Sequence, residues 1–166
     1  MMQSRYAVCG LLAMMIASSV APMGARAEGQ CQFTQGYWQN RAQNANDLTT
    51  EVWLSVRDQA FYLSGLSYQQ VLLVPPKGNA YWVLAHQLVA AQANYALGAQ
   101  TPSLVSDALA RANQVMGQYT PQQVAAIPKN SAVREELIAL SRVLDDWNNA
   151  LIGSGECGDA GGGGNG

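Results

Sequence analysis

The sequence predicts a mostly α fold: a small helical bundle with a minor β-hairpin, clamped by one disulfide. Three observations lead there. Short segments capped by Ser or Thr and stopped by Pro alternate with long apolar-patterned segments between Ser67 and Ile152. Strand-like composition is confined to Ala60 to Leu66, which carries a Ser64-Gly65 turn signal. Once an export leader is removed, two cysteines remain, Cys31 and Cys157, one towards each end of the chain.

The leader consists of Arg5, the small and apolar run Tyr6 to Val20, and the Ala25-Arg26-Ala27 cleavage site. The run falls short of the ~20 residues needed to span a bilayer. A signal cleaved after Ala27 leaves no membrane anchor and predicts a secreted or periplasmic bacterial protein. Taking residues 1–27 from 166 leaves 139, enough for a single helical domain over 28–157. Residues 158–166 are Gly-rich and offer no side chains that favour order, so a disordered tail is expected. An oxidising compartment makes a Cys31–Cys157 disulfide the default. Closing so long a loop contributes about 4–5 kcal/mol in the chain-entropy account. The rival is a metal pair completed by His86, but no Cys-x-x-Cys or His-x-x-x-His spacing supplies further ligands.

The mature part keeps seven of the nine basic side chains and all eleven acidic ones, a net charge of −4. Without a basic stripe, nucleic acid and anionic lipid are poor partners. Gln and Asn stand at many positions where Lys or Glu is usual.

Taken in order, Cys31 to Trp38 is an aromatic cluster with Gly36 as its expected turn. Phe33, Tyr37 and Trp38 read as core plugs; the sharper alternative is a platform for a sugar or small ligand made by Tyr37, Trp38, Gln39 and Asn40. Leu48 to Asp58 is compatible with a short helix or an extended segment. Ser67 caps a two-turn helix that Pro75-Pro76 stops, and Lys77-Gly78-Asn79 turns the chain. Ala80 to Leu97 is apolar on more than one side, with Leu84, Leu88, Ala91 and Tyr95 on one face, which predicts a central helix ended by Gly98. Within it, His86, Gln87 and Asn94 are expected as a structural polar core.

Thr101-Pro102 opens the next helix, with Asp107 and Arg111 spaced to pair on its wet side, and Gly117 closes it. Thr120 to Pro128 repeats the capped, proline-stopped design, and Ser131 to Ile152 is then an amphipathic helix with Val133, Leu137, Leu140, Leu144, Trp147 and Leu151 on one stripe. The two halves share [Ser/Thr]-x-Gln-Gln-Val-x-x-[Val/Ile]-Pro, then Lys and Asn, then a long helix. Duplication and convergent cap chemistry account for that echo equally well.

Catalytic chemistry has little to stand on. His86 lacks a Gly-x-Ser-x-Gly or comparable nucleophile motif. Glu135-Glu136 and Asp145-Asp146 are adjacent pairs, whose members point about 100° apart on a helix; Arg142 is spaced to pair with Asp145 or Asp146. Glu156 and Asp159 lack the order of a calcium loop. No catalytic residue, metal or cofactor is therefore expected.

The stretch Cys31-Gln32-Phe33-Thr34-Gln35-Gly36-Tyr37-Trp38-Gln39-Asn40 resembles the opening of a domain found in exported bacterial proteins, Cys-x-[Phe/Tyr]-Thr-Gln-Gly-Tyr-Trp-Lys-Asn-His-Pro. Further matching parts follow in the same order: Leu63-Ser64-Gly65, Ser67-Tyr68, Pro76-Lys77-Gly78-Asn79, and Leu84-Ala85-His86-Gln87-Leu88 running on to Asn94. A closing cysteine after a Gly-rich turn is matched by Cys157. The resemblance spans nearly all of 31–157 and departs at Gln39, Arg41 and Ala42, where the family has Lys, His and Pro. That family occurs in secreted and cell-surface proteins and carries no assigned activity. The resemblance implies an address outside the cytoplasm. The signal, the expected bridge and the missing catalytic set together predict an exported, non-enzymatic module whose partner is an envelope or extracellular protein or glycan. A hydrolase built around His86 is the competing class.

Overall fold

A computed structural model of the chain describes residues 32–41 and 48–153. The Cys31–Cys157 bridge, the leader and the Gly-rich tail lie outside the described residues. The described part is mostly helical: α1 (Gln35–Gln39), α2 (Leu48–Val56), α3 (Tyr68–Leu73), α4 (Ala80–Ala96), α5 (Ser103–Met116), α6 (Pro121–Ala126) and α7 (Ala132–Asn148).

The helix starts follow from local chemistry. The Ser67 and Thr120 hydroxyls accept the N–H groups of Gln70 and Gln123, and the Gln70 and Gln123 side chains accept the cap N–H groups in return. These two reciprocal caps occupy donors a helix start otherwise leaves open. Asn79 and Ser131 cap the long helices α4 and α7 by accepting from Tyr81 and Arg134 N–H. Pro76 to Asn79 turns tightly, with Lys77 and Gly78 both at positive φ and the Asn79 N–H bonded to the Pro76 carbonyl at 2.9 Å. Two positive φ angles in succession are what glycine at the second position permits.

Both long helices end in the same six-residue hydrogen-bond pattern. At α4, Gly98 (φ 87) bonds to the Tyr95 carbonyl and Ala99 to that of Asn94. At α7, Ala150 (φ 57) bonds to Trp147 and Leu151 to Asp146. This is the Schellman arrangement. It stops α7 at Asn148, four residues before the predicted Ile152, and Leu151 leaves the stripe at 73% exposure.

Several expectations are corrected. The Ala60 to Leu66 stretch is no hairpin of paired strands: a single antiparallel bridge, Ala60 to Ser67, closes a tight loop. Tyr62 at φ 43 and Gly65 at φ 75 curl the chain too sharply for strands to form. Gly36 makes no turn; it lies inside α1, which Thr34 caps. Thr101 does not cap α5. Its hydroxyl bonds to the Ala99 carbonyl, and Pro102 occupies the cap position. Arg111 passes over Asp107 and grips Glu136 of α7 with two guanidinium nitrogens.

α4 is the axis of the molecule. It packs along α7 most extensively, and α1, α2, α3, α5 and α6 also lie against it. Leu84, Leu88, Val89, Ala90 and Ala91 are wholly buried around its girth. Trp38, Trp53, Phe61, Val71, Val105, Val124, Leu137, Leu144 and Trp147 close over it from the other elements. At 20–30 cal/mol per Å2 of apolar surface, each such side chain contributes about 1.5–3 kcal/mol.

Candidate functional site

The buried polar groups form a chain of amides. Asn94, in the last turn of α4, bonds to both polar groups of the Phe33 peptide: its Oδ1 accepts from Phe33 N at 3.0 Å and its Nδ2 donates to Phe33 O at 2.8 Å. Asn94 Oδ1 also accepts from Trp38 Nε1 at 3.2 Å, and Nδ2 also donates to Asn148 Oδ1 at 3.0 Å. All four bonds an amide can make are made. Asn148 Nδ2 in turn donates to the carbonyl and side-chain oxygens of Gln87, at 2.9 and 3.0 Å. Gln87 Nε2 completes the line at Gln35 Oε1, 3.2 Å away. Gln87 and Asn94 are thus linked in one line of hydrogen bonds with Asn148 and Gln35, which the pattern did not single out.

His86 is not in that line. It sits half-buried on another side of α4, its Nε2 2.9 Å from the Val74 carbonyl at the end of α3. Burial holds its pKa below the ordinary histidine value, opposed in part by bonds to the Val74 and Val71 carbonyls. A neutral ring with an Nε2–H donor fits that carbonyl.

The Tyr37–Trp38 platform loses its main ring. Trp38 is 0% exposed, with its indole N–H on Asn94 and its ring 5.7 Å from Trp53. Tyr37 stacks on Phe33 at 4.0 Å and donates its hydroxyl to Thr49. Gln39 and Asn40 are exposed, but the Asn40 side chain folds back onto the Gly36 carbonyl. The carboxylate pairs are likewise engaged singly. Glu136 holds Arg111, and Asp145 accepts from Asn149 at 2.9 Å rather than from Arg142. Among the described residues no group of three or more His, Cys, Asp or Glu side chains is placed to hold a metal ion.

Among the described residues, a concave surface with open polar chemistry lies between α4 and α5. Gln92, Tyr95, Ser106, Leu109, Ala110 and Asn113 line a groove of about 410 Å3. At its edge Tyr62, from the 60–67 loop, donates to Asn113 Oδ1 at 2.7 Å. Gln92 Nε2 donates to both Tyr62 Oη and Asn113 Oδ1 at 2.8 Å, closing a triangle. Burial raises the Tyr62 pKa, against a smaller opposing effect of the Gln92 bond, so the phenol stays protonated at neutral pH. Tyr95, placed on the buried face by helix periodicity, is instead 63% exposed. It falls in the final turn of α4 and lines the groove beside α5, while its neighbour Asn94 takes the inward face. Sequence periodicity gave no sign of the groove, because its residues come from two helices and a loop. The local signals are the spacing of Gln92 and Tyr95 at i and i+3, and of Ser106, Leu109, Ala110 and Asn113 at i, i+3, i+4 and i+7, which put each set on one face of its helix.

No protein family matches the chain, and neither a curated protein nor a solved structure does.

Proposed function

We propose that the chain is an exported, non-enzymatic module that binds another molecule of the envelope or the extracellular space. The observation that carries this reading is the fate of its polar side chains. In the interior Asn94, Asn148 and Gln87 bond to one another and to neighbouring backbone, His86 Nε2 is engaged by a backbone carbonyl, and the charge-free α4–α5 groove keeps unengaged polar groups at the surface. Such a surface is equipped for recognition and offers no nucleophile–base pair. No helix among the described residues is long and apolar enough to cross a membrane.

The same reading includes a Cys31–Cys157 disulfide and membership of the exported family that the opening motif resembles. What supports the disulfide is the meeting of the adjoining described residues. A Cβ added to Gly153 would come within 2.6 Å of Gln32 Nε2. Three residues lie between Gly153 and Cys157, four steps of chain at about 3.3–3.6 Å each.

The test is to express the full chain in a bacterial host, fractionate it, and measure intact mass. Export, cleavage after Ala27 and the absence of free thiols are expected. The purified mature protein should then be retained on envelope material of its source cell. Turnover in a broad hydrolase screen that His86→Ala abolishes would overturn the non-enzymatic reading.

A further inference from the structure

We infer that the α4–α5 groove is a binding site for a neutral polyhydroxylated ligand, a short stretch of saccharide, with the Tyr95 ring as its stacking face and the Tyr62–Gln92–Asn113 triangle as its polar edge. The inference rests on the binding-module reading above and names the site and ligand class within it.

Charge is the first argument. None of the six lining side chains carries charge near neutral pH, so an anion or a metal ion finds no counter-charge there. Arg111, the basic residue nearest in α5, is held by Glu136 on the side facing α7. Hydrogen-bonding capacity is the second. Within the triangle Gln92 Nε2 uses both its hydrogens and Asn113 Oδ1 accepts two bonds. That leaves the Asn113 amide N–H groups and a Tyr62 lone pair for a ligand. The Ser106 hydroxyl donates its one hydrogen back to its own helix, with the Ser103 carbonyl at 3.0 Å and that of Pro102 at 3.3 Å, and keeps its acceptor lone pairs. Donors and acceptors interleaved at short range match sugar hydroxyls, each of which both donates and accepts.

The third argument is the apolar part. Leu109 and Ala110 supply apolar lining, and the exposed Tyr95 ring offers an amphipathic face with few rotatable bonds to restrict. The C–H face of a pyranose is a fit for such a ring. The groove volume lies in the usual range for small-ligand sites, about 300–1,000 Å3.

The experiment is an NMR titration of the isotope-labelled mature chain with maltotriose, cellotriose and the trimer of N-acetylglucosamine. A galacturonic acid trimer and an uncharged hexapeptide serve as comparisons. At least one neutral trisaccharide is expected to shift the Tyr95 ring and the Gln92 and Asn113 side-chain amide signals, with a Kd of order 1 mM or tighter. Tyr95→Ala, and Ala110→Trp which fills the groove, should each weaken binding about tenfold or more while leaving the melting temperature unchanged. The inference is overturned if no neutral sugar shifts these signals, if the shifts fall elsewhere, or if the charged trimer or the peptide binds more tightly. Should the groove stay silent while the protein is still retained on envelope material, the site assignment fails and the wider reading survives. Loss of both removes both.

Discussion

Two stretches of this molecule, 67–98 and 120–150, are built to the same local plan and used differently. Each begins with a reciprocal Ser/Thr–Gln cap on a six-residue helix, stops at a proline, and turns into a seventeen-residue helix that closes in a Schellman motif. Each long helix reaches back to its short one through a side chain on a carbonyl: His86 to Val74 in the first, Arg134 to Val124 in the second. Each carries a buried asparagine near its end, and the two asparagines bond to one another.

The difference is burial. Eleven residues of α4 are buried and only five of α7. α4 is lined with Ala and Leu on every side, so helices pack all around it. α7 sets Glu135, Glu136, Arg142, Asp145 and Asp146 against one apolar stripe and packs by that stripe alone. Side chains nonetheless tie the two stretches in both directions. Besides Val124, Arg134 donates to the Gly78 carbonyl of the first stretch at 2.9 Å, and Asn79 Nδ2 donates to the Pro121 carbonyl of the second at 3.1 Å. Shared caps make the helices alike; the distribution of apolar residues decides which becomes the axis.

The sharpest way to break this comparison is through the paired asparagines. Asn94→Ala strands the Phe33 peptide, the Trp38 indole N–H and Asn148 together, and should cost about 3–5 kcal/mol in urea denaturation. Asn148→Ala strands fewer groups and should cost about 2 kcal/mol less. Equal losses would mean that α7 is as central as α4. The Schellman positions come next. Gly98→Ala should destabilise by about 1–2 kcal/mol, because alanine is strained at that left-handed φ, whereas Ala150→Gly should stabilise by up to ~1 kcal/mol by relieving the same strain. A loss of stability in Ala150→Gly would refute the parallel between the two ends.

Ser67→Ala and Thr120→Ala test what the stretches share. Each should cost about 1 kcal/mol, with the two values agreeing within a few tenths, since a cap acts within its own turn. The smallest effect separates the two reaching side chains. His86 has a folded-state pKa held below its unfolded value near 6.5 by burial. The unfolded chain therefore takes up a proton first, and stability should fall as pH drops from about 6.5 towards the folded pKa. His86→Gln should remove that slope. A stability curve flat from pH 7 to 4.5 in the parent protein, after allowance for carboxylates, would contradict it.

Interactions between residues three to five apart were open to reading from the chain itself. Ser67 and Thr120 as caps, the proline stops, the Gly98 ending and the girdle of apolar residues on α4 belong to this class, whereas Asn79, read as part of a turn, also caps α4. The α7 ending shows its limit. Gly153 looks like the stop, but Ala150 takes the left-handed conformation first, because Leu151 and Ala150 can bond to the last helical carbonyls there.

What tertiary structure alone decided is where each polar or aromatic group finds its partner. Asn94 meets Phe33, sixty-one residues away; Arg111 chooses Glu136 over the nearer Asp107; Trp38 turns inward and Tyr95 outward. These outcomes depend on the angles and register at which helices cross, which a one-dimensional pattern leaves unspecified. The same holds for the groove, whose walls belong to separate elements and exist only once α4 and α5 lie side by side.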